Sequence, residues 1–476
     1  MTTAILVLGL GLALALAILM RHREWRLPAF AFALLALPGN VDDLFPQMRL
    51  DPYDIADNTA AAVSMVDLLL VWAVILTARE RGPLRIPVWI FALAGILATL
   101  AVVSAVAAAV RGVEPLAALR GALVFGRIVA VLYISGSLVE FRRDAFRLTL
   151  AFVAGGVSLI GNGLYTSTVQ GLDRFTATTF GRNSFAIALI VCAILAAGVV
   201  FSRWHRRRTS RQEALVVGGS VVVAAASLFG AVATGTRMSM IVLAGAAALI
   251  LIVNVRWRSI AGLRRVAIVA ALTIAVIGSA GVLTSGGARA ISVFGSVDEV
   301  TRGVTDPESL PIYSEIRSRG DFWALAVKMA VSNPLFGVGP FQWNIERYEL
   351  ANYEPLVADP HNSYLQVAAE YGIPGAALYA LLVATCLVVI LLAAWNPKAL
   401  SRTDWSVAAV AGAALVIPLA DATNSNLFNT RMGLVAWLLL AVAVTYATWS
   451  PREAEPVPDH AGNAPAPPEP SDRHTD

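Results

Sequence analysis

Residues 372–395 read GIPGAALYALLVATCLVVILLAAW, a stretch without a single charged side chain. A helix that crosses a bilayer needs about 20 apolar residues, so this stretch predicts a transmembrane helix. The whole 476-residue chain has the same character, because it is 57% hydrophobic and 14% charged, with a mean hydropathy of +0.69. Soluble domains carry about 25% charged residues. We therefore expect an all-α fold, a polytopic bundle of transmembrane helices.

Thirteen apolar segments are candidates for transmembrane helices, and the second and twelfth are short, so we expect 12 or 13 helices. The first segment has neither a charged start nor a clear small-residue cleavage site. Those features favour a retained helix over a signal peptide. The candidate segments are residues 3–20, 27–38, 59–78, 86–110, 118–139, 148–165, 183–202, 214–234, 237–254, 266–284, 372–395, 405–420 and 432–449.

The distribution of basic residues predicts how the helices are oriented. Six short loops hold 20 lysines and arginines, whereas the alternate loops and helix ends hold 7. Cytoplasmic loops carry the excess of Lys and Arg, so we expect the first set inside and the long polar segment 285–361 outside. The basic loops are residues 21–26, 79–85, 142–147, 203–211, 256–265 and 398–402. The alternate set is Arg49, Arg111, Arg120, Arg174, Arg182, Arg237 and Arg431.

This topology divides the chain into four parts. We expect N-terminal transmembrane helices in 1–284, a large extracytoplasmic loop with a candidate catalytic segment in 285–371, and C-terminal transmembrane helices in 372–450. Residues 451–476 are rich in Pro, Ala, Glu and Asp. Such a composition cannot bury enough apolar surface to fold, so we expect a disordered cytoplasmic tail.

The large outer loop is expected to contain short helices. Residues 312–331 predict one, because Phe322, Leu325 and Met329 recur on one stripe at helical spacing. A helix of this kind could lie at the membrane interface. The Asn-Pro pair at 333–334 is expected to end it.

The GVGP segment at 337–340 predicts a tight turn with little side-chain bulk. Backbone N–H groups in such a turn can approach an anion. A plain connecting turn is the alternative, and this segment alone does not separate the two interpretations.

His361 is the only histidine expected on the outer face. A histidine titrates near neutral pH and can therefore act as a general base. Pro360 restrains the backbone before it, and Asn362 could orient its ring. The alternative is a structural histidine packed at a junction between loop and helix. The remaining histidines lie in cytoplasmic loops or in the tail: His22, His205, His460 and His474.

Four arginines are candidates for binding a pyrophosphate on the outer face. Arg237 follows a Gly-Thr pair at the mouth of a helix, Arg317 and Arg319 precede Trp323, and Arg182 opens another helix. A guanidinium group keeps its charge and grips phosphate oxygens through two N–H groups at once. The alternative for any one of them is an anchor to lipid headgroups.

Several charges also fall within or beside the predicted spans. Arg127 lies near the middle of its span, and Asp67 is expected at a similar depth in another. Arg120 precedes Arg127 by seven residues, so both face one side of the helix, about 10 Å apart. Charges at such depth are costly and mark functional sites, although an Asp67–Arg127 ion pair that fixes helix packing is the alternative. Asp42 and Asp43 in the acidic outer loop are weaker candidates for a base or a metal ligand.

The order and spacing of four segments resemble the O-antigen ligase family of membrane proteins, which also includes O-antigen and capsule polymerases. The resemblance covers roughly residues 174–395. The matching segments are HNSYL (361–365) with GIPG (372–375), NPLFGVGP (333–340), TGTRMS (234–239), and Arg319 four residues before Trp323. The acidic first outer loop, the Pro-rich tail and most of residues 305–320 have no counterpart in this pattern.

The resemblance implies a membrane glycosyltransferase that moves a glycan from a polyprenyl-pyrophosphate carrier to an acceptor hydroxyl outside the cytoplasmic membrane. It implies no nucleotide sugar, no metal and no cofactor. His361 would be the essential base, and Arg237 and Arg319 the essential outer arginines. One direct displacement would invert the sugar carbon. Such chemistry needs a positioned base and fixed positive charge at the leaving group.

The acceptor and the class of activity stay open at this stage. Lipid A core as acceptor would make the protein a ligase, and another lipid-linked repeat would make it a polymerase; a wall polymer or a protein is a third possibility. A transporter or flippase of lipid-linked glycan is the alternative from another class, because intramembrane charges such as Arg120, Arg127 and Asp67 can line a pathway. The expected partners are the lipid-linked donor, the glycan or lipid-linked acceptor and the bilayer, with no nucleic acid.

Overall fold

The computed structural model describes most of the predicted spans and part of the large loop predicted at 285–371, His361 included. The described residues are 2–37, 64–113, 115–169, 182–204, 210–236, 315–340, 342–343, 346, 360–395, 405–422, 427 and 430–448, with isolated positions at 275, 279 and 283–284. Of the candidates, Arg237, Asp42 and Asp43, the segments 237–254 and 266–284 and the tail 451–476 lie outside them, apart from those isolated positions.

The described part of the chain is entirely helical, without a strand. Its twelve helices are α1 (Thr2–Leu19), α2 (Arg23–Ala36), α3 (Met65–Glu80), α4 (Val88–Val110), α5 (Pro115–Leu138), α6 (Arg142–Thr168), α7 (Arg182–Arg203), α8 (Arg211–Ala233), α9 (Glu315–Ser332), α10 (Ser363–Trp395), α11 (Trp405–Asp421) and α12 (Thr430–Thr448).

Seven of these helices are long and apolar enough to cross a bilayer: α4, α5, α6, α7, α8, α10 and α12. Two shorter apolar stretches, Leu8–Leu19 and Trp405–Pro418, lie in α1 and α11. All but two of the predicted spans coincide with described helices, and those two, 237–254 and 266–284, lie almost entirely outside the described residues. The prediction of an all-α, multi-pass membrane protein is confirmed.

The bundle has an inner and an outer set of helices. In the apolar stretches of α7 and α12, 83% and 89% of the residues are buried. In those of α4, α8 and α10, only 33–39% of the residues are buried. The outer helices instead present exposed valine and leucine side chains, such as Val106, Val222 and Val388. Exposed apolar patches of this extent mark a membrane-facing surface.

Helix α3 begins with a capping box. The Ser64 hydroxyl accepts from the backbone N–H of Asp67 at 3.3 Å, and the Asp67 carboxylate accepts from the backbone N–H of Ser64 at 2.8 Å. Each side chain thereby satisfies a backbone donor that a helix start leaves unpaired. Asp67 thus lies in the first turn of α3, closer to the helix end than the hydropathy boundary at residue 59 predicts.

Helix α10 contains a break at Gly372, where φ is 77° and ψ is 176°. An L-residue with a side chain rarely adopts this φ, so the glycine divides α10 into a short outer segment and the long apolar segment after it. Pro374 follows in the first turn of the second segment, where its missing N–H leaves no hydrogen bond unmade. The break coincides with the start of the span predicted at 372–395.

Helix α9 packs on the outer segment of α10. Phe322, Leu325 and Met329 are buried and cluster with Ala369 and Leu365 of that segment. Burial of each large apolar side chain is worth roughly 2 kcal/mol, which is enough to hold an outer helix on the bundle. The predicted stripe is confirmed, and it contacts protein rather than the membrane interface.

The basic end of the bundle is joined by ion pairs. Arg26, only 1% exposed, contacts the Glu80 carboxylate at 2.5 Å, and Arg85 contacts Glu140 at 2.6 Å. The hydrogen bond from Arg26 lowers the pKa of Glu80 against the opposing effect of burial, and the charges of Arg26 and Arg23 lower that pKa further. These contacts link α2 to α3, and the connection between α3 and α4 to the segment between α5 and α6.

Candidate functional site

His361 lies directly before α10, at the end of the bundle opposite these ion pairs. Its φ of 49° is in the left-handed region, which is uncommon for a residue with a side chain and marks positions that their surroundings must hold. The next residue caps the helix, because the Asn362 side-chain oxygen accepts from the backbone N–H of Leu365 at 3.0 Å. The backbone on either side of the histidine is therefore well defined.

Three contacts from different parts of the chain hold this segment. The indole N–H of Trp323 on α9 donates to the Pro360 carbonyl at 3.0 Å. The Asn362 amide donates to the Ala422 carbonyl, at the end of α11, at 3.0 Å. The backbone N–H of Leu427 donates to the Ser363 hydroxyl at 3.3 Å. The described contacts of Asn362 are thus to backbone groups, and they position the segment rather than the imidazole ring.

The glycine-rich turn, residues 333–340, packs against the break in α10. The backbone N–H of Val338 donates to the Ala369 carbonyl at 2.8 Å, and the backbone N–H of Gly339 donates to the Glu370 carbonyl at 3.2 Å. In return, the backbone N–H of Ile373 donates to the Pro334 carbonyl at 2.9 Å. These amides are engaged with backbone carbonyls, which favours the structural interpretation of the turn over anion binding.

The same turn also docks on α4 and α5. The Ser104 hydroxyl donates to the Phe336 carbonyl at 2.6 Å, and the Arg111 guanidinium donates to Asn333 at 2.9 Å and to the Gly337 carbonyl at 3.0 Å. On α5, Gly121 faces Pro340 so closely that an added Cβ would lie 2.1 Å from the proline Cβ. The turn is therefore held between four helices: α4, α5, α9 and α10.

Asp67 and Arg127 form a two-pronged ion pair between α3 and α5. The Nε and Nη2 atoms of Arg127 lie 2.8 and 2.9 Å from the two Asp67 oxygens, and both side chains are less than 15% exposed. The pair is the expected alternative to a substrate contact, and it fastens the two helices. Breaking such a buried pair by removing one partner costs about 3–5 kcal/mol.

Arg431 brings a second guanidinium group near this pair. In the sequence it is visible only as one of the basic residues expected on the outer side. It is 2% exposed, its Nη1 donates to the Leu37 carbonyl at the end of α2, and the Asp67 carboxylate acts on it electrostatically. The usable signal was an arginine at the start of an otherwise uncharged span. Arg127 also lines a shallow pocket together with Leu427, whose backbone N–H donates to the Ser363 hydroxyl.

The remaining candidates are placed by their backbone alone. Arg317 and Arg319 lie in the first turns of α9, and Arg319 is one turn before Trp323 on that helix. Arg182 is the first residue of α7, and Arg120 lies in the second turn of α5. Positions four residues apart share a helix face, so positions 319 and 323 lie on the same face of α9.

The residues before Arg237 form a tight turn at the end of α8. The Thr234 hydroxyl lies 2.9 Å from that of Thr236 and accepts from the backbone N–H of Thr236 at 3.3 Å, and Gly235 has a φ of 70°. Thr234 and Thr236 are both buried. Arg237 follows this fixed turn and itself lies outside the described residues.

Together the fold and the site define a multi-pass helical membrane protein with a histidine-bearing segment packed at one end of its bundle. Residues 222–380 match the family model for O-antigen ligase, Wzy_C. The matching part of the chain contains the Thr-Gly-Thr turn, α9, the glycine-rich turn and His361, so this part is similar to the O-antigen ligase family. A search of curated proteins found no significant match to the chain.

Proposed function

We propose that this protein is a membrane glycosyltransferase that moves a glycan from a polyprenyl-pyrophosphate carrier to an acceptor hydroxyl. The observation that supports this most strongly is the placement of His361. It lies inside the region that matches the O-antigen ligase family model. Its backbone has a strained left-handed conformation, and its neighbours Pro360, Asn362 and Ser363 are held by contacts to Trp323, Ala422 and Leu427. Strain of this kind is concentrated at functional sites.

The proposed reaction is one direct displacement at the first sugar carbon of the donor. His361 accepts the proton of the acceptor hydroxyl, the hydroxyl oxygen forms the new bond to that carbon, and the bond from the carbon to the pyrophosphate oxygen breaks. The leaving polyprenyl pyrophosphate keeps the electron pair. The configuration at the sugar carbon is inverted, and no nucleotide sugar, metal or other cofactor takes part.

The negative charge that develops on the leaving pyrophosphate requires fixed positive charge near it. We assign that role to Arg237 and Arg319, with Arg317 and Arg182 as further contacts. Arg319 follows from its place on α9, one turn from the indole that bonds Pro360. Arg237 comes directly after the buried Thr-Gly-Thr turn in the chain, and the resemblance to the family motif supports its role. Arg120 belongs with the supporting residues.

We place the reaction on the extracytoplasmic face of the cytoplasmic membrane. The excess of basic residues lies at the end of the bundle where Arg26 and Glu80 pair, and cytoplasmic loops carry that excess. The His361 segment, the glycine-rich turn and the Asp67–Arg127 pair all lie at the other end. This is also the face on which a lipid-linked glycan would meet an acceptor.

The transporter alternative has less support in the described part of the chain, because Asp67 and Arg127 contact each other through two hydrogen bonds. The packing of α3 against α5 is enough to account for this pair of charges. The outer contacts instead converge on the histidine segment. Ligase and polymerase activities use the same proposed chemistry and differ only in the acceptor.

Purified protein in proteoliposomes, supplied with lipid-linked oligosaccharide and no nucleotide sugar, tests this proposal. We expect transfer by the wild type and none by His361→Ala. His22→Ala, a change at the opposite end of the bundle, is the matched control and should leave transfer unchanged. Near-normal transfer by His361→Ala would refute the general-base assignment.

The same assay separates the acceptor classes and the rival function. Growth of a ladder without added acceptor would identify a polymerase, and a single transfer that requires a second acceptor would identify a ligase. Movement of the lipid-linked glycan between leaflets without transfer to any acceptor would support the transporter. Arg237→Lys keeps the charge but loses the two-pronged geometry, so we expect strongly impaired transfer.

A further inference from the structure

Helix α9 has a second apolar stripe besides the one that packs on α10. Trp323, Val327 and Val331 follow one another at intervals of four residues and are 39%, 50% and 66% exposed. Side chains with this spacing share one face of a helix. A large apolar face left open on a helix outside the seven long spans requires a partner.

The rest of α9 is polar, so the helix is three-sided. Asp321, Lys328 and Ser332 are exposed, and at 100° per residue they form one sector between the open apolar stripe and the face buried on α10. One face therefore meets the protein, one is apolar and open, and one is suited to water. A helix that lies in the membrane interface combines an apolar and a charged face in this way.

The open stripe is continuous with the outward-facing surface of the bundle. It continues beyond the end of α9 through Leu335 and Phe336, which are also exposed. Pro334, next to Leu335, accepts the backbone N–H of Ile373 at 2.9 Å, and Ile373 is 52% exposed at the start of the long segment of α10.

From there the exposed apolar surface follows α10 along the bundle. Leu381, Val388 and Leu392 are each more than half exposed on this candidate membrane span. The apolar side chains of a span face either protein or lipid. In a bilayer, this exposed part of α10 would therefore contact lipid acyl chains. Leu335, Phe336 and Ile373 connect the stripe on α9 to this surface.

We propose that α9 lies in the interface of the cytoplasmic membrane, on its extracytoplasmic side. Trp323, Val327 and Val331 would contact lipid acyl chains, and Lys328 and Ser332 would face headgroups and water. Trp323 is suited to this depth, because its ring is apolar and its N–H is satisfied. The placement requires only that the protein is embedded in a membrane, and it stands whether or not the glycosyltransferase proposal holds.

This placement has a consequence for the catalytic segment. The indole N–H of Trp323 donates to the Pro360 carbonyl. The same side chain would therefore contact lipid with its ring and hold the histidine segment with its N–H. His361 would then lie at the depth of the headgroups. A donor carried on a polyprenyl chain presents its pyrophosphate at that depth, so it would reach the segment laterally from the membrane.

Spin labels test the orientation of α9 in the membrane. The measurement compares how often a nitroxide label collides with oxygen, which concentrates in lipid, and with a water-soluble nickel chelate. Single cysteines are introduced at Val331 or at its neighbour Ser332, and the protein is reconstituted in vesicles of phosphatidylethanolamine with phosphatidylglycerol. The native Cys192 and Cys386 are buried and are replaced by alanine. A label at Val388 on α10 is the reference for lipid contact.

We expect the label at Val331 to match the one at Val388, with high accessibility to oxygen and low accessibility to the chelate, and the label at Ser332 to show the reverse. A label at Val327 gives an independent second measurement. Equal access of the chelate to positions 331 and 332 would overturn the proposal, because the stripe would then face water. Protection of position 331 from both probes would also overturn it, because protein, a second copy included, would cover the stripe.

Discussion

Replacement of Gly337 by alanine should separate the glycine-rich turn from the break in α10. A Cβ at this position would lie 2.3 Å from the carbonyl carbon of Glu370 and 2.5 Å from the backbone nitrogen of Tyr371. Carbon atoms in favourable contact are about 3.5–4.0 Å apart. The atoms in the way belong to the backbone of α10, so no side-chain rotation relieves the overlap, and the turn must move by roughly 1 Å.

The free-energy cost follows from three contributions. The φ of Gly337 is +68°, and an alanine held in the left-handed region loses about 1 kcal/mol. Moving the turn breaks the hydrogen bonds from Val338 and Gly339 to α10, which are worth about 1 kcal/mol each. Further loss of packing brings the expected destabilisation to about 3–4 kcal/mol.

Unfolding of purified protein by SDS in mixed micelles, followed by circular dichroism, measures this cost. The matched control is Gly161→Ala in the middle of α6, where nothing lies within 4 Å of an added Cβ. Alanine favours the helix over glycine by up to about 1 kcal/mol, so the control should be neutral or slightly stabilising. We also expect Gly337→Ala to lose transfer activity. Equal unfolding of Gly337→Ala and wild type would refute this account of the turn.

Three further changes test other contacts. Asp67→Asn and Arg127→Gln should each destabilise the protein by about 3 kcal/mol, and the double variant by clearly less than their sum, as measured by SDS unfolding; additive losses would mean that the pair does not couple α3 to α5. Trp323→Phe keeps an aromatic ring but removes the N–H that donates to Pro360 next to His361, so the transfer rate should fall several-fold while the free energy of SDS unfolding changes by no more than about 1 kcal/mol; an unchanged rate would exclude a positioning role. The pKa of Glu80 is lowered chiefly by the hydrogen bond from Arg26, so the ionised carboxylate stabilises the fold at pH values above its ordinary pKa of 4.5, and this stabilisation is lost as the pH falls through the lower folded pKa. The difference in unfolding free energy between wild type and Glu80→Gln should shrink over that pH range. A pH-independent difference would contradict the assignment.

Local patterns predicted the described helices and the break in α10 well. The stripe of Phe322, Leu325 and Met329 identified α9, and the Asn-Pro pair marked its end at Ser332. The start of the long segment of α10 was predicted at Gly372, where the break lies. These features are encoded by residues close together in the chain, because helix periodicity, caps and turns act over about one or two turns of helix.

Asp67 shows where hydropathy misplaces a functional residue. The apolar run begins before residue 64, so a window average put Asp67 deep in the span, whereas the capping box with Ser64 places it in the first turn of α3. The Ser-x-x-Asp signature was present in the sequence and would have marked this start. Arg431 was likewise visible as a charge, but its burial beside Leu37 was not.

The sequence by itself determined that this protein is a polytopic helical membrane protein, which end of the bundle carries the excess of basic residues, and that His361 is the candidate base. Its resemblance to a known family was also carried by short segments. Only the tertiary structure decided that Trp323 holds Pro360 across 37 positions and that Asp67 meets Arg127 across 60. The physical reason is that hydropathy selects which residues enter the membrane, whereas the partner of each polar group within the bundle depends on how the helices pack against one another.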